Sequence, residues 1–132
     1  MRRDLLVLGV TLAFSVSGCS NIFGTDQSVI LQVSEIDAPA TVAPGSSLAV
    51  TLNVTLGGCR WFDRIEIDRV ATGANVTVWG HDNSIGRPTI SCPADVRTES
   101  HTLVFNPPFA SMFTIAVYHG RLPGISETVE VR

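Results

Sequence analysis

The sequence predicts an all-β fold, an antiparallel sandwich of about seven strands. Apolar and polar residues alternate with a period of two in several segments, which is typical of strands with one buried face. Clusters of glycine, proline, asparagine and aspartate separate these segments at short intervals, as turns do. No window after residue 20 shows the 3.6-residue repeat of an amphipathic helix.

The clearest element is a predicted strand at 47–56. Its apolar residues alternate with small and polar ones, so we expect one face to be buried. The inward residues of this strand are Leu48, Val50, Leu52, Val54 and Leu56. A strand is also predicted at 28–36, with an inward face made of Val29, Leu31 and Val33. Between the two, prolines within 38–45 predict an edge segment that ends in a Pro-Gly turn.

Five more strands are predicted after residue 58, at 59–70, 76–80, 99–105, 112–118 and 125–131. In the first of them, alternation predicts that the inward residues are Cys59, Trp61, Ile65 and Ile67. Asp63 does not fit this pattern. The inward residues of the last three are Leu103, Phe105, Phe113, Ile115, Val117, Val129 and Val131. The segment 80–98 is irregular and rich in turn residues.

The N-terminus has the layout of a secretory signal. Arg2 and Arg3 precede an apolar run, and small residues follow it. The run is too short to cross a bilayer as a helix, which needs about 20 apolar residues. It ends in Val16-Ser17-Gly18-Cys19, which resembles the lipobox of bacterial lipoproteins. In that family the signal is cleaved before the cysteine, and the cysteine sulfur carries a diacylglycerol. The alternatives are an ordinary signal peptide that is cut nearby and an uncleaved anchor.

The lipobox resemblance implies a domain organisation and a location. Residues 1–18 would be the signal peptide, 19–27 the lipidated Cys19 with a short polar tether, and 28–132 one sandwich domain. The protein would then be anchored in the membrane of the cell envelope through its lipid. Ser20 follows the cysteine, and in Gram-negative lipoproteins a residue other than aspartate at this position implies the outer membrane.

The remaining cysteines form an even pair. Once Cys19 carries lipid, Cys59 and Cys92 are left in an exported domain, which favours a disulfide between them. A redox or metal-binding thiol pair is the alternative. Close spacing such as C-x-x-C would serve that chemistry better, and the sequence lacks it.

The order of the predicted strands resembles that of bacterial immunoglobulin-like domains. The resemblance is carried by Ala43-Pro44-Gly45 before the long alternating strand, and by Pro107-Pro108-Phe109 before the strand at 112–118. It implies a fold and no catalytic residue. The cysteines depart from it, because antibody-type domains bridge the second and sixth strands across the core. Here Cys59 opens the third strand and Cys92 lies in a loop, so the bond would join a loop to a sheet end.

Charge and composition exclude some classes of partner. The chain has nine arginines, twelve carboxylates and no lysine. Removal of residues 1–18 would leave seven arginines and eleven carboxylates, a net charge of −4. A mildly acidic domain is a poor match for nucleic acid, since phosphate binding relies on clustered positive charge.

Residue patterns give little support for catalysis or for a bound metal or other cofactor. The histidines lack the spacing of metal ligands and are His81, His101 and His119. Glu66 and Asp68 share one strand face about 7 Å apart, a distance compatible with paired-carboxylate chemistry. Arg60 and Arg64 lie on the same predicted face, however, which is more typical of a solvated surface. We therefore expect no catalytic residue, no metal site and no cofactor, and an enzyme or redox protein is the least favoured class.

Three aromatic residues suggest an interaction surface. Phe62, Trp79 and Tyr118 have the opposite parity to the inferred core, and exposed apolar patches mark interaction sites. The alternatives are that they lie beneath the segment 80–98, or that the inferred alternation is displaced by one residue.

The sequence thus predicts a non-enzymatic envelope lipoprotein with a structural or adhesive role through an envelope protein partner. The alternative function is a small-ligand or carbohydrate binding module that uses the segment 80–98 and nearby aromatics.

Overall fold

The computed structural model describes residues 27–132. The predicted signal peptide, the predicted lipidation site Cys19 and most of the predicted tether lie outside the described residues. Within them the chain is all-β, as predicted, and no helix long and apolar enough to cross a membrane occurs between residues 27 and 132. The described strands are β1 (Gln27–Ile30), β2 (Gln32–Asp37), β3 (Thr41–Val42), β4 (Leu48–Gly57), β5 (Arg60–Val70), β6 (Gly73–Asp82), β7 (Val96–Phe105), β8 (Met112–His119) and β9 (Leu122–Val131).

The strands form two sheets. Sheet A has six strands, in which β5 pairs with β6, β6 with both β1 and β8, β8 with β9, and β9 with β3. Sheet B has three strands in the order β2-β4-β7 and is antiparallel throughout. Sheet A is mixed, because β6 runs parallel to β8 and β3 runs parallel to β9. The prediction of purely antiparallel pairing is therefore wrong for sheet A. The chain passes through β7 in sheet B between β6 and β8, and such a crossover permits parallel neighbours that a hairpin cannot give.

One hydrophobic core lies between the two sheets. Strand β4 contributes five fully buried side chains, the same five that its alternation predicts. Sheet A faces them with the buried Val76, Val78, Phe113, Ile115 and Val117. Each such side chain stabilises the fold by roughly 1.5–3 kcal/mol relative to its exposed state. The predicted inward faces of 47–56 and 112–118 are thus confirmed.

The predicted strand at 28–36 changes sheets at Leu31. Val29 pairs with Gly80 in sheet A, whereas Val33 pairs with Val54 in sheet B. Leu31 lies between the two strands, is 1% exposed and donates its backbone N–H to the Val78 carbonyl oxygen at 2.8 Å. The inward face is as predicted, but one continuous strand is in fact two short strands that join the sheets.

Gly80 makes this change of sheet possible. A Cβ atom at position 80 would collide with the carbonyl oxygen of Trp61 and would lie 2.7 Å from the side chain of Leu31. Real Cβ contacts do not occur at such distances, so the close approach of Leu31 to β6 requires glycine here.

A β-bulge at Asp63 reverses the predicted faces of the first part of β5. The pairing of β5 with β6 shifts between Phe62 and Arg64, which leaves Asp63 as the extra residue. Before the bulge, Trp61 pairs with His81 on the outer face and Phe62 packs against the core. The prediction that Trp61 points inward and Phe62 outward is therefore wrong, because strict alternation does not hold across a bulge.

Two polar side chains are buried near the end of the sandwich at which the chain changes sheets. His119 Nε2 accepts a hydrogen bond from the Val33 N–H at 3.1 Å, and its Nδ1 lies 3.1 Å from the Pro123 carbonyl oxygen, to which it donates. Asp82 accepts hydrogen bonds from Arg60 Nε at 2.9 Å and from the Ser84 backbone and hydroxyl. The Arg60 bond, followed by those of Ser84, holds the pKa of Asp82 below its ordinary value. Both groups thus have structural roles.

The predicted disulfide between Cys59 and Cys92 is confirmed. The two Cα atoms are 5.1 Å apart, and the bond joins the turn between β4 and β5 to the loop 83–95. Two backbone hydrogen bonds lie beside it, from Gly58 N–H to Asp95 and from Asn83 N–H to Cys59. The irregular segment is shorter than predicted, because β6 extends to Asp82 and β7 begins at Val96.

Replacement of both Cys59 and Cys92 by alanine is expected to lower the free energy of unfolding by about 2–4 kcal/mol, because the open chain has a larger unfolded ensemble. Loop 83–95 should loosen first, since its larger apolar side chains, Ile85 and Ile90, are only half-buried. Denaturant unfolding gives the free energy, and hydrogen exchange locates the change. Equal loosening of β4 and the loop would contradict the prediction, as would two free thiols in the denatured, unreduced protein lacking residues 1–19.

Candidate interaction surface on sheet A

The outer face of sheet A brings together two of the three predicted interface aromatics. The pairing of Thr77 with Tyr118 places the latter on the same face as Trp79, two residues further along β6. Strand β5 adds Arg64 opposite Trp79 and Glu66 opposite Thr77. Side chains that lie opposite each other in a sheet share a face. We call this surface the outer patch; it consists of Arg64, Glu66, Asn75, Thr77, Trp79, Ala116 and Tyr118.

Tyr118 borders a shallow depression in the outer patch. Its side chain is 55% exposed. The depression has a volume of about 360 Å³ and is lined by Asn75, Thr77, Ala116 and the backbone neighbour Val117. Small side chains on β6 and β8 form the floor, and the tyrosine ring stands beside them. A single protruding side chain of another molecule could fit here against an aromatic wall.

Trp79 is held in one orientation by charged neighbours. Its indole Nε1 donates a hydrogen bond to Glu66 Oε2 at 2.8 Å, and the Arg64 guanidinium lies over its ring at 5.4 Å from the centroid. Arg64 in turn donates to Glu66 Oε1 at 3.0 Å and to Asp63 at 2.6 Å. This network fixes the ring before any partner arrives, which lowers the entropic cost of binding.

The ionised forms of Arg64 and Glu66 are stabilised by their neighbours in this network. The hydrogen bond from Trp79, and then those from Arg64, hold the pKa of the Glu66 carboxyl below its ordinary value. Hydrogen bonds to Asp63 and Glu66 raise the pKa of Arg64. Glu66 is therefore ionised at neutral pH and bound to its neighbours. Because it is already paired, it does not form a free carboxylate pair with Asp68.

Phe62 does not belong to the outer patch. It packs against the core and stacks on His101 of sheet B, with ring centroids 3.9 Å apart. Trp61 lies on the outer face instead, 5.7 Å from the ring of His81. Sequence reasoning missed this exchange, although the misfit of Asp63 was the signal of a bulge that could have shown it.

The segment predicted to join the aromatics in a ligand site is not part of the depression. None of the residues that line the depression belongs to loop 83–95. A second concavity, of about 260 Å³, lies where the chain changes sheets and is lined in part by Leu31, Arg60 and His119. Both ring nitrogens of His119 are engaged within the fold. Between residues 27 and 132, no group of three or more side chains could hold a metal ion.

The Glu66–Trp79 hydrogen bond should be visible in an acid titration. With Trp61→Phe, Trp79 is the one tryptophan left, since the chain has two. The folded-state pKa of Glu66 is lowered, so the bond should be complete above the unfolded pKa of about 4.3 and weaken as pH falls through the lowered value. We expect Trp79 fluorescence to change with a midpoint below about 4.3.

Glu66→Gln in the same background is the matched control for this titration and should remove the transition. A transition that persists in this variant would assign it to another group. A midpoint at or above about 4.3, the ordinary glutamate value, would contradict the predicted direction.

No protein family, curated protein or solved structure matches the chain. Its function therefore has to be argued from its own residues.

Proposed function

We propose that the protein is a non-enzymatic, envelope-anchored lipoprotein that binds a protein partner through the outer patch. One observation carries this proposal: the exposed Tyr118 lies on the same sheet face as the Trp79–Arg64 pair. Tryptophan, tyrosine and arginine are the residues enriched at the energetic centres of protein interfaces. Clustered on a sheet surface, they support a structural or adhesive role.

The shape of the outer patch favours a protein over a small ligand. Small-ligand sites are clefts that enclose most of the ligand surface. The depression beside Tyr118 is shallow and floored by Asn75, Thr77 and Ala116. Asn75 and Thr77 offer hydrogen bonds beside an aromatic anchor, an arrangement similar to that of antibody binding surfaces.

Two further parts of the proposal are an immunoglobulin-like fold and a lipid anchor at Cys19. An immunoglobulin-like sandwich is supported by two sheets around one core and by the long alternating β4. The parallel pair β6–β8 would be its main departure from that family. The lipobox ending at Cys19 supports attachment to the envelope membrane, with the outer membrane proposed where the cell has one.

A small-ligand or carbohydrate binding role is the second candidate. It is favoured by the presence of Trp79 and Tyr118 on one face with polar neighbours, since sugars stack on aromatic rings. The covered ring face of Trp79, beneath Arg64, weighs against it. Soluble glycans that compete with the partner at Tyr118 would favour this role.

A photo-reactive amino acid at position 118 of the full-length protein is expected to cross-link to a discrete envelope protein in living cells. The matched control is position 49 on β4, where the exposed Ala49 lies on the outer face of sheet B. With the partner identified, Tyr118→Ala should weaken binding by about tenfold or more, as truncation of a central interface residue does. No protein adduct at position 118, or an equal adduct with the same envelope protein at position 49, would overturn the proposal.

Cys19→Ala is expected to release the protein from the membrane fraction while the domain still folds. The lipid would be attached at one sulfur atom outside the residues that form the core. Fractionation measures the anchoring, and the protease resistance of the released protein measures the fold. Recovery of the variant in the membrane pellet at the wild-type level would contradict lipid anchoring at this residue.

A further inference from the structure

The free edges of the two sheets differ in how well they are protected. Exposed strand edges present unpaired N–H and C=O groups, which proteins guard with short strands, prolines, bulges or charges. Among the described residues, the edges other than β7 carry the stronger guards: β1 has only four residues, and the part of β9 beyond β3 contains Pro123. Strand β3 has two residues and lies between Pro39 and Pro44. Strand β2 has an irregularity between Val33 and Glu35, and β5 has the bulge at Asp63.

Strand β7 is the long, regular edge, and its guards are two charged side chains on the inner face, Arg97 and Glu99. It has ten residues, contains no proline, glycine or lysine, and pairs with β4 in an unbroken register over all ten. Its other side has no neighbour within residues 27–132. Two large apolar residues stand exposed on its outer face, Val96 at 73% and Val104 at 62%. A long, regular strand with exposed valines is a template for pairing with another strand.

We propose that a second copy of this chain pairs with it through β7, antiparallel and about a two-fold axis at Ser100. The two sheets B then form one continuous six-stranded sheet. Two-fold symmetry perpendicular to the sheet keeps the core of both copies on the same side. The outer patch lies on sheet A, so this interface is separate from the proposed partner site.

The side chains of β7 are complementary to themselves about Ser100. Residues at equal distances from the axis lie opposite each other, so Val96 meets Val104, and Thr98 meets Thr102. On the inner face, Glu99 meets His101, and Arg97 meets Leu103. Symmetry forms each of these pairs twice. Apolar, threonine and carboxylate–imidazole pairs of this kind stabilise neighbouring antiparallel strands.

Other symmetric registers match less well. An axis at Glu99 would place two carboxylates directly opposite each other, and like charges in that position are destabilising. An axis at His101 would oppose two imidazoles and lose both Glu99–His101 pairs. Axes nearer either end of β7 would pair only about half of the strand. The sequence of the strand therefore singles out Ser100 as the centre.

His101 supplies an independent reason for a second copy. Its Nε2 atom is buried and has no hydrogen-bond partner among the described residues. The nearest carboxylate oxygen of its own chain, Glu99 Oε2, is 3.7 Å away, beyond a good hydrogen bond. Buried polar atoms are rarely left unpaired. In the proposed register, Glu99 of the second copy lies directly across from His101, and a turn of the ring toward the edge brings Nε2 within its reach, since the atom is shielded by its own chain.

Single cysteines on the outer face of β7 test the register. Ser100→Cys in the full-length protein is expected to give a disulfide-linked dimer on a non-reducing gel after expression in an oxidising compartment. Residues directly opposite each other have Cα atoms about 4.5–5.5 Å apart, within the disulfide range. Thr98→Cys alone and Thr102→Cys alone should not cross-link, because each lies about 13 Å along the strand from its own copy. The double variant Thr98→Cys/Thr102→Cys should cross-link again.

The wild-type protein on the same gel is the control for the native cysteines. Absence of a Ser100→Cys dimer overturns the proposal. Equal cross-linking by the Thr98→Cys and Thr102→Cys single variants also overturns it. Cross-linking that does not depend on position would come from random collisions and not from a defined pairing of strands. A Ser100→Cys adduct with a different protein would show that the edge has another occupant. None of these outcomes depends on the outer patch, so failure here and failure of the proposed function can be told apart.

Discussion

The passage of the chain from one sheet to the other at Leu31 is the constraint on which the rest of the fold depends. It requires a buried leucine beneath a position without a side chain, Gly80. Because of this passage, β1 pairs with the second half of β6, and β8 pairs with the first half of β6 on the same side. The position of β8 beside β6 places Tyr118 on the same surface as Trp79. The outer patch therefore depends on a packing contact in the core beneath it.

Sequence reasoning succeeded where burial is a local property of one strand. Strict alternation in β4 and β8 assigns each side chain to a face without knowledge of its neighbours, and the same parity placed Trp79 and Tyr118 outside. It failed where the structure depends on which strands become neighbours in a sheet. The parallel contact of β6 with β8 joins segments separated by β7, and no local pattern encodes it. The split of 28–36 between two sheets depends on Gly80, which lies far away in the sequence.

The bulge at Asp63 connects the core with the surface. By shifting β5 by one residue, it turns Phe62 toward His101 of sheet B and turns Trp61 toward the outer face. The carboxylate of the inserted residue then binds Arg64, which covers Trp79. One extra residue thus fills the gap between the sheets and also orders the aromatic surface. Patterns of alternation cannot place side chains across such a point, and for this reason Phe62 was assigned to the wrong face.

The disulfide at the end of the sandwich also determines what a protease would leave behind. Loop 83–95 includes exposed positions such as Gly86 and Ser91, and it begins between the two bonded cysteines. A cut between Asn83 and Ser91 would divide the chain into one piece that carries Cys59 and another that carries Cys92. The two pieces would stay covalently joined, with β6 and β8 still paired across the break. On a denaturing gel, a nicked molecule would run as one species until a reductant separated its halves.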